Sequence, residues 1–513
     1  MLKNIIANII GRFWSILSNY LFIPLYISFL GIENYAIISF SFILVGIMSV
    51  LDAGLTATLS REFAKHDDSN FTNYKMRTLN TLELCYWCIV IIILLIVLIF
   101  AGPIAEKWIT LKDTSVTYIA NALKIFGAGM ALQLLGNFYI GGLIGLEQQI
   151  KANVYQMVWG VFRNGIVLII IFFKPSLIYF FAWQAFVTLV YVVYLRYTLV
   201  SSIKKTMTQP SKGFLFDKNL LFTIGNFVGG MLLISIVAAI NTQLDKIAIS
   251  KMLPIKELGY YNLGISLTQV ILVLVSPISI ALLPRFTSLY SLKQHKEAST
   301  LFYTILLFVS IIVFSLTANI IFNSTELILA WTGNVRLAIS SSKYVLFLAT
   351  GTAMLSMQII PFNIAIANGY TKINNIIGIS SLLISIPGYL FSVYYFGSKG
   401  AAVTWCIIQT AITPIYLFYI HRKFLKEYTY SSLMFKQVYK PALAALLIAF
   451  LLNRIIPNFN NRILQLMIIS LSILITLISV TFITIPVTRI NFYWLIIKGK
   501  LDKIFLKLKL NQK

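Results

Sequence analysis

The sequence predicts an all-α polytopic membrane protein of about 14 transmembrane helices, and three observations predict it. Hydrophobic residues make up 59% of the 513, charged residues only 11%, and the mean hydropathy is +0.86. Soluble chains carry about 25% charged residues, so this chain lacks the polar surface that a water-facing fold requires. The apolar residues also fall into runs of about 20, the length at which a helix crosses a bilayer. Aromatic residues reach 14%, which suits helices that place rings at the lipid interfaces.

The first predicted span, residues 9–30, reads as a retained helix, because no short apolar core with a small-residue cleavage site precedes it. Spans follow near 36–59, 81–103, 117–144, 152–173 and 176–199. The connection from Ser201 to Lys218 then carries Lys204, Lys205, Lys212 and Lys218 with Pro210 and Gly213, too short and polar for a folded domain of its own. A second set runs near 220–245, 259–284, 300–321, 340–368, 371–395 and 400–420, with two more near 437–456 and 464–487. The long runs at 117–144 and 340–368 leave room for tilt or a kink. The chain therefore divides into an N-terminal six-helix bundle (1–200), a cytoplasmic linker (201–219), a second six-helix bundle (220–421), and two additional helices with a basic cytoplasmic tail (422–513). The tail from Lys498 to Lys513 is basic and amphipathic, as suits an inner membrane surface.

A weak internal echo agrees with two related halves. IGLEQQIKAN at Ile144 to Asn153 matches IANGYTKINN at Ile366 to Asn375, and LSREF at Leu59 matches LPRFT at Leu283, both offset by about 220 residues.

The 41 Lys and Arg against 16 Asp and Glu give a net charge of +25. Clustered on a soluble domain, that balance would suggest nucleic acid; here the cations sit between apolar runs, as the positive-inside rule requires, so no nucleic-acid partner is expected. An even span count with both termini cytoplasmic puts most of them inside, and only Lys124 and Arg163 fall deep within spans.

A charge in the bilayer core costs roughly 2.5 to 3.5 kcal/mol, so each should face a cavity, a partner or an interface. Arg163, near the middle of span five, is too deep to snorkel. It either pairs internally, with Asp52 the candidate partner, or faces water and contacts an anionic substrate. Lys124 either snorkels outward or joins it. Asp52, in LDAGL, either takes a proton or cation that couples to transport, or pairs with Arg61 or Arg163. Asp245 and Lys246 read either as an outer gate pair or as a solvated helix end, and Glu83 reads as interfacial. Amides within spans, including Gln184, Asn241, Gln243, Gln358, Asn363 and Gln409, can grip sugar hydroxyls or join helices.

Enzyme signatures are thin. His66, His295 and His421 have no acidic neighbour at metal spacing, and there is no P-loop, G-x-S-x-G or H-E-x-x-H. Cys85, Cys88 and Cys406 lie in or beside apolar segments and read as structural. The expectation is a protein that is not an enzyme and holds no metal or cofactor.

Three stretches carry a family resemblance: PLYISFLGIENYA from Pro24 to Ala36, LDAGLTATLSREFA from Leu51 to Ala64, and NTQLDKIAIS with ELGYYNL from Asn241 to Leu263. With the span layout, they make the chain resemble a bacterial polysaccharide-unit flippase of the O-antigen or capsule type, in the superfamily that includes multidrug and toxic-compound extrusion proteins and the lipid II flippase. The resemblance implies a multidrug-extrusion-like pair of six-helix bundles around a cationic cavity, alternating between inward and outward openings in the bacterial inner membrane. The implied cargo is an oligosaccharide repeat unit on undecaprenyl diphosphate, moved from the cytoplasmic to the periplasmic leaflet, with membrane lipids, a polysaccharide polymerase and a chain-length regulator as further partners. Arg163 and Lys124 are then the counterparts of cavity cations, Arg61 and Arg285 stand near the inner mouth, and Asp52 and Asp245 match the acidic positions of the motifs. Coupling to a proton or sodium gradient is left open. The alternatives are a cation-coupled multidrug extruder of the same superfamily and a non-transporting scaffold of glycan assembly.

Overall fold

The computed structural model describes residues 2–52, 55–64, 71–111, 114–205, 236, 239–370, 372–425, 429–457, 459 and 461–485, with side chains from residue 21 onward except at 49, 51–55, 57, 61, 64, 71–73, 280 and 281. The described chain is helical throughout. In order, the helices are α1 (Leu2–Asp52), α2 (Leu55–Ala64), α3 (Phe71–Pro103), α4 (Val116–Gly145), α5 (Gln149–Gly160), α6 (Val167–Phe173), α7 (Leu177–Lys204), α8 (within 239–252) and α9 (Ile255–Ser291). They continue as α10 (His295–Phe322), α11 (Ser324–Thr332), α12 (Val335–Ala367), α13 (Lys372–Phe424), α14 (Tyr430–Leu433), α15 (Lys440–Ile455) and α16 (Arg462–Thr484). Three π-helical turns extend or join them, at Ile104–Trp108, Val161–Ile166 and Met434–Tyr439.

Among the described residues, eleven helical stretches are long and apolar enough to cross a bilayer. The expected spans 371–395 and 400–420 share one long helix, α13, from residue 372, and 9–30 shares α1 with 36–59 as far as Asp52, the last residues of the latter lying in α2. Both are broken at a glycine in a conformation that a side chain would strain: Gly31 (φ 81°, ψ 167°) and Gly397 (φ 63°, ψ −154°). At Gly397 the limbs turn back on each other, and Thr404 Oγ1 donates to Ser392 Oγ at 2.8 Å across the bend. The expected span at 220–245 lies outside the described residues except for 236 and the start of α8. The expected linker at 201–219 is described only to 205, and the basic tail lies outside altogether. Helix α3 begins ten residues earlier than its apolar core, because Phe71–Asn80 continues the same helix in polar form. The nine-residue α11, ending on the left-handed Gly333 (φ 71°), was not legible as a span.

By contacts the chain forms two units, residues 1–266 with 374–408, and residues 267–373 with 409–513. In the first, α4 and α7 run parallel. Gly129 lies against Ala185, Gly136 against Tyr191 and Gly142 against Leu199, so small residues bring the two backbones close where lipid gives no hydrophobic drive. Helix α2 lies on the same glycine-rich end of α4, with Thr56 against Gly141 and Ser60 and Phe63 against Gly145. The first limb of α1 packs on α5 and α6, where Phe29 meets Phe172 edge-on at 5.8 Å, and its second limb meets α8 and α9 at Gly46–Gln243 and Ile32–Gly259.

The second unit is joined by amides and hydroxyls. Asn319 of α10 donates to Thr476 Oγ1 at 3.0 Å and accepts from Ser472 Oγ at 2.7 Å, tying α16 to it. Asn453 of α15 reaches Phe322 O at 3.1 Å, and Asn363 of α12 donates to Ser279 O of α9 at 2.8 Å. Polar pairs of this kind hold helices together in lipid at roughly 0.6 kcal/mol each.

Candidate functional site

Arg163 sits in the π-helical turn Val161–Ile166, inside the bilayer-length stretch Gln149–Phe173. A π turn leaves backbone carbonyls without their usual partners, which in a membrane must be met by side chains. Trp183 Nε1 donates to Phe162 O at 2.9 Å, and the Tyr26 hydroxyl donates to Asn164 O at 2.6 Å. The irregular turn is thus braced from α7 and from α1.

The guanidinium lies over the ring of Trp159 at 4.9 Å, and Trp159 in turn stacks on Tyr191 (5.1 Å, 16° between planes). Trp159 Nε1 reaches Thr188 Oγ1 at 3.3 Å, which fixes the indole. The hydrogen bonding of Arg163 itself is sparse. Its Nη2 contacts Gln184 Oε1 at 3.5 Å, while Nε is buried with no partner. No described carboxylate forms an ion pair with it. A guanidinium offers five donors, so this one is held by stacking and left with unfilled capacity for an anion.

The surrounding helix has two characters. Ile150, Val154, Val158 and Phe162 recur every four residues and are exposed, as a lipid-facing stripe requires. On the other side stand the exposed Gln156 and the half-buried Gly160, where an added Cβ would meet nothing within 4 Å, followed by Arg163.

The other expected residues fall in several places. Lys124 is half-buried on α4, and no described hydrogen bond or ion pair involves it. The parallel register of α4 and α7, with Tyr118 beside Ser176 and Gly129 beside Ala185, puts Lys124 within about one helical turn of the depth of Gln184 and so of Arg163. Arg61 is on α2 at the level of Gly145, roughly 25 Å further along the bundle, and its side chain lies outside the described residues. Asp52 ends α1, and its side chain is likewise outside them. Arg285 is exposed on α9 in the second unit. Asp245 is buried on α8 and accepts from the Tyr261 hydroxyl at 2.8 Å, whereas Lys246 donates to Gln243 Oε1 at 3.1 Å. These neighbours in sequence are held by different partners.

One charged cluster was not legible beforehand. Glu83 is buried, at 5% exposure: its carboxylate accepts from Arg196 Nε at 2.5 Å and from the Tyr139 hydroxyl at 2.5 Å, joining α3, α4 and α7. Arg196 reads from sequence as one more inner-end cation; opposite charges within two apolar spans were the available signal.

Among the described residues no group of three or more His, Cys, Asp or Glu is placed to hold a metal, and none of Cys85, Cys88 and Cys406 is in a disulfide.

Comparison with known proteins adds the following. The sequence profile of the family described as "Polysaccharide biosynthesis protein" matches residues 1–290, and that described as "MatE" matches residues 230–390. A putative O-antigen transporter of Shigella flexneri is 22% identical over 380 residues, covering 74% of this chain and 87% of the relative. The fold is shared with the lipid II flippase MurJ in an inward-closed conformation (TM-score 0.67, 16% identity, 93% of this chain and 98% of the other). It is shared also with an inward-facing multidrug-resistance transporter of the MATE family (TM-score 0.63, 13% identity, 83% and 98%).

Proposed function

The chain belongs to the polysaccharide biosynthesis protein family and is a polytopic membrane transporter of the superfamily that unites flippases with multidrug extruders, and from that premise we propose that it translocates a polyprenyl-diphosphate-linked oligosaccharide across the cytoplasmic membrane. Its role is transport rather than catalysis. The observation that carries the cargo assignment is Arg163: a guanidinium deep in a span, stacked on Trp159, with a buried and unpartnered Nε and no described acidic partner. A diphosphate supplies the oxygens that those donors lack, and charge-assisted bonds to it are strongest where water is scarce. Lys124, at similar depth, adds a second positive charge. Sugars would occupy the open polar side at Gln156 and Gly160, and the polyprenyl tail would remain in lipid, so its apolar surface never enters water.

The same reading takes 14 crossings with both termini cytoplasmic. The limbs on either side of Gly31 and Gly397 each count as one crossing, and one more falls near 220–245. Arg61 and Arg285 would stand at the inner mouth, Asp52 and the buried Asp245 would serve ion coupling or gating with Lys246, and a polymerase and chain-length regulator would receive the glycan. A cation-coupled multidrug extruder is the competing reading, favoured by the MatE match over residues 230–390. Cationic drugs would require acidic groups at the depth where this chain presents Arg163.

The test is translocation in liposomes that contain the purified protein and fluorescent polyprenyl-diphosphate glycan, with and without a proton or sodium gradient. Glycan movement that depends on the protein is expected. Protein-dependent efflux of a cationic dye with no glycan movement would overturn the assignment.

A further inference from the structure

A groove of about 640 Å³ opens at the C-terminal end of α7, well away from Arg163. Gln184 and Arg196 are 12 residues apart on that helix, on the order of 18 Å along its axis. The groove is lined by Val193, Tyr197, Arg196, Ser201, Lys204 and Lys205, among others. We propose that it binds the phosphate headgroup of an anionic membrane phospholipid.

Charge is the first argument. The Arg196 side chain is 54% exposed while that of Glu83 beneath it is 7% exposed, so the carboxylate holds the guanidinium from inside the bundle and leaves the outer part of it on the groove. Tyr139 locks Glu83 in turn, since its hydroxyl shares Oε1 with Arg196 Nε. Arg196 and Glu83 cancel in charge but keep directed N–H donors in place; Lys204 and Lys205 add two positive charges at the same rim, with no ion pair to either among the described residues. A fixed guanidinium beside two flexible ammonium groups suits a phosphate diester, with geometry from the first and field from the others.

The second argument is the wall. Val193, Tyr197, Val200 and Lys204 recur at helical spacing on one face of α7, and Val193 and Tyr197 are 61% and 72% exposed on a helix of bilayer-crossing length. Apolar surface that runs into a basic rim fits a molecule with acyl chains below and a phosphate above. A soluble anion would gain nothing from the wall. Tyr197 adds an amphipathic ring at the boundary, where such rings prefer to sit.

The test uses the full chain in detergent micelles, titrated with dioleoylphosphatidylglycerol, with dioleoylphosphatidylcholine and with soluble glycerol phosphate, bound lipid being counted by native mass spectrometry. The wild-type protein should retain phosphatidylglycerol in preference to phosphatidylcholine. The double variant Lys204→Gln, Lys205→Gln should lose roughly 25-fold in apparent affinity for phosphatidylglycerol, about fivefold for each basic residue removed, with phosphatidylcholine binding unchanged. Equal retention of the two lipids by the wild type, or an unaltered phosphatidylglycerol affinity in the double variant, would overturn the proposal. Competition by glycerol phosphate at the concentration at which phosphatidylglycerol binds would show that phosphate alone is recognised, and would overturn the lipid assignment.

Discussion

Replacing Arg163 with alanine is expected to lower glycan translocation by about 100-fold, the equivalent of two charge-assisted hydrogen bonds at roughly 1.5 kcal/mol each, while membrane abundance stays close to that of the wild type. The contrast follows from what the side chain does in the resting protein. Its one described hydrogen bond is long, at 3.5 Å to Gln184, and its Nε has none. What the fold loses is the stack on Trp159, worth about 1 kcal/mol, and relief from burying an unsatisfied donor offsets part of that loss. The Arg163→Lys variant keeps the charge but not the planar fork, and should fall between the two. Surface polysaccharide and membrane-protein level, measured on the same cells, separate the outcomes. A parallel drop in both would make Arg163 a structural residue and remove the basis for a diphosphate at this depth.

A large loss of stability is expected at Gly145. A Cβ there would lie 2.5 Å from Ser60 O, 2.8 Å from Phe63 Cβ and 2.9 Å from Ser60 Cα. Two of those atoms are backbone, so no rotamer change relieves the clash and α2 must move bodily off α4. Gly145→Val should therefore cost about 3 kcal/mol or more, the upper range for overpacking, read as a fall in melting temperature and in yield after detergent extraction. Gly160→Ala is the matched control: a Cβ there meets nothing within 4 Å, and alanine favours the helix by about 1 kcal/mol. If Gly145→Val melts with the wild type, α2 is not seated on α4 as described, and the position of Arg61 at that end of the bundle loses its support.

Much of the architecture was legible in the sequence because lipid imposes a length on helices that water does not. The expected spans at 117–144, 176–199 and 464–487 lie largely within α4, α7 and α16, which extend some of them and end α16 slightly earlier. Hydropathy does not show how a polypeptide turns between spans, so the glycine breaks at Gly31 and Gly397 came only with backbone angles. Nor does it show an irregular turn within a span. Arg163 stood out as a charge at bilayer depth, but Trp159, Tyr26 and Trp183, which hold its turn in shape, are ordinary membrane-helix residues until their hydrogen bonds are seen. The cluster around Glu83 was missed for a related reason: its partners come from α4 and α7, 56 and 113 residues away, and no local pattern announces them.

The π turn at Val161–Ile166 also bears on how this segment can change. It takes up one residue more than an α turn, so everything beyond it is set back by about 100° around the helix axis. Phe172, which meets Phe29 of α1, occupies its side of the helix only because of that extra residue. Deleting one residue between 161 and 166 would restore a regular helix and leave Ile169, Phe172 and Phe173 on their present faces, whereas winding the turn into a regular helix with every residue kept would swing them by about 100° to new neighbours. The cationic turn and the apolar contacts that follow it are therefore coupled by phase: rewinding the turn at constant length alters both, and a one-residue deletion alters the turn alone.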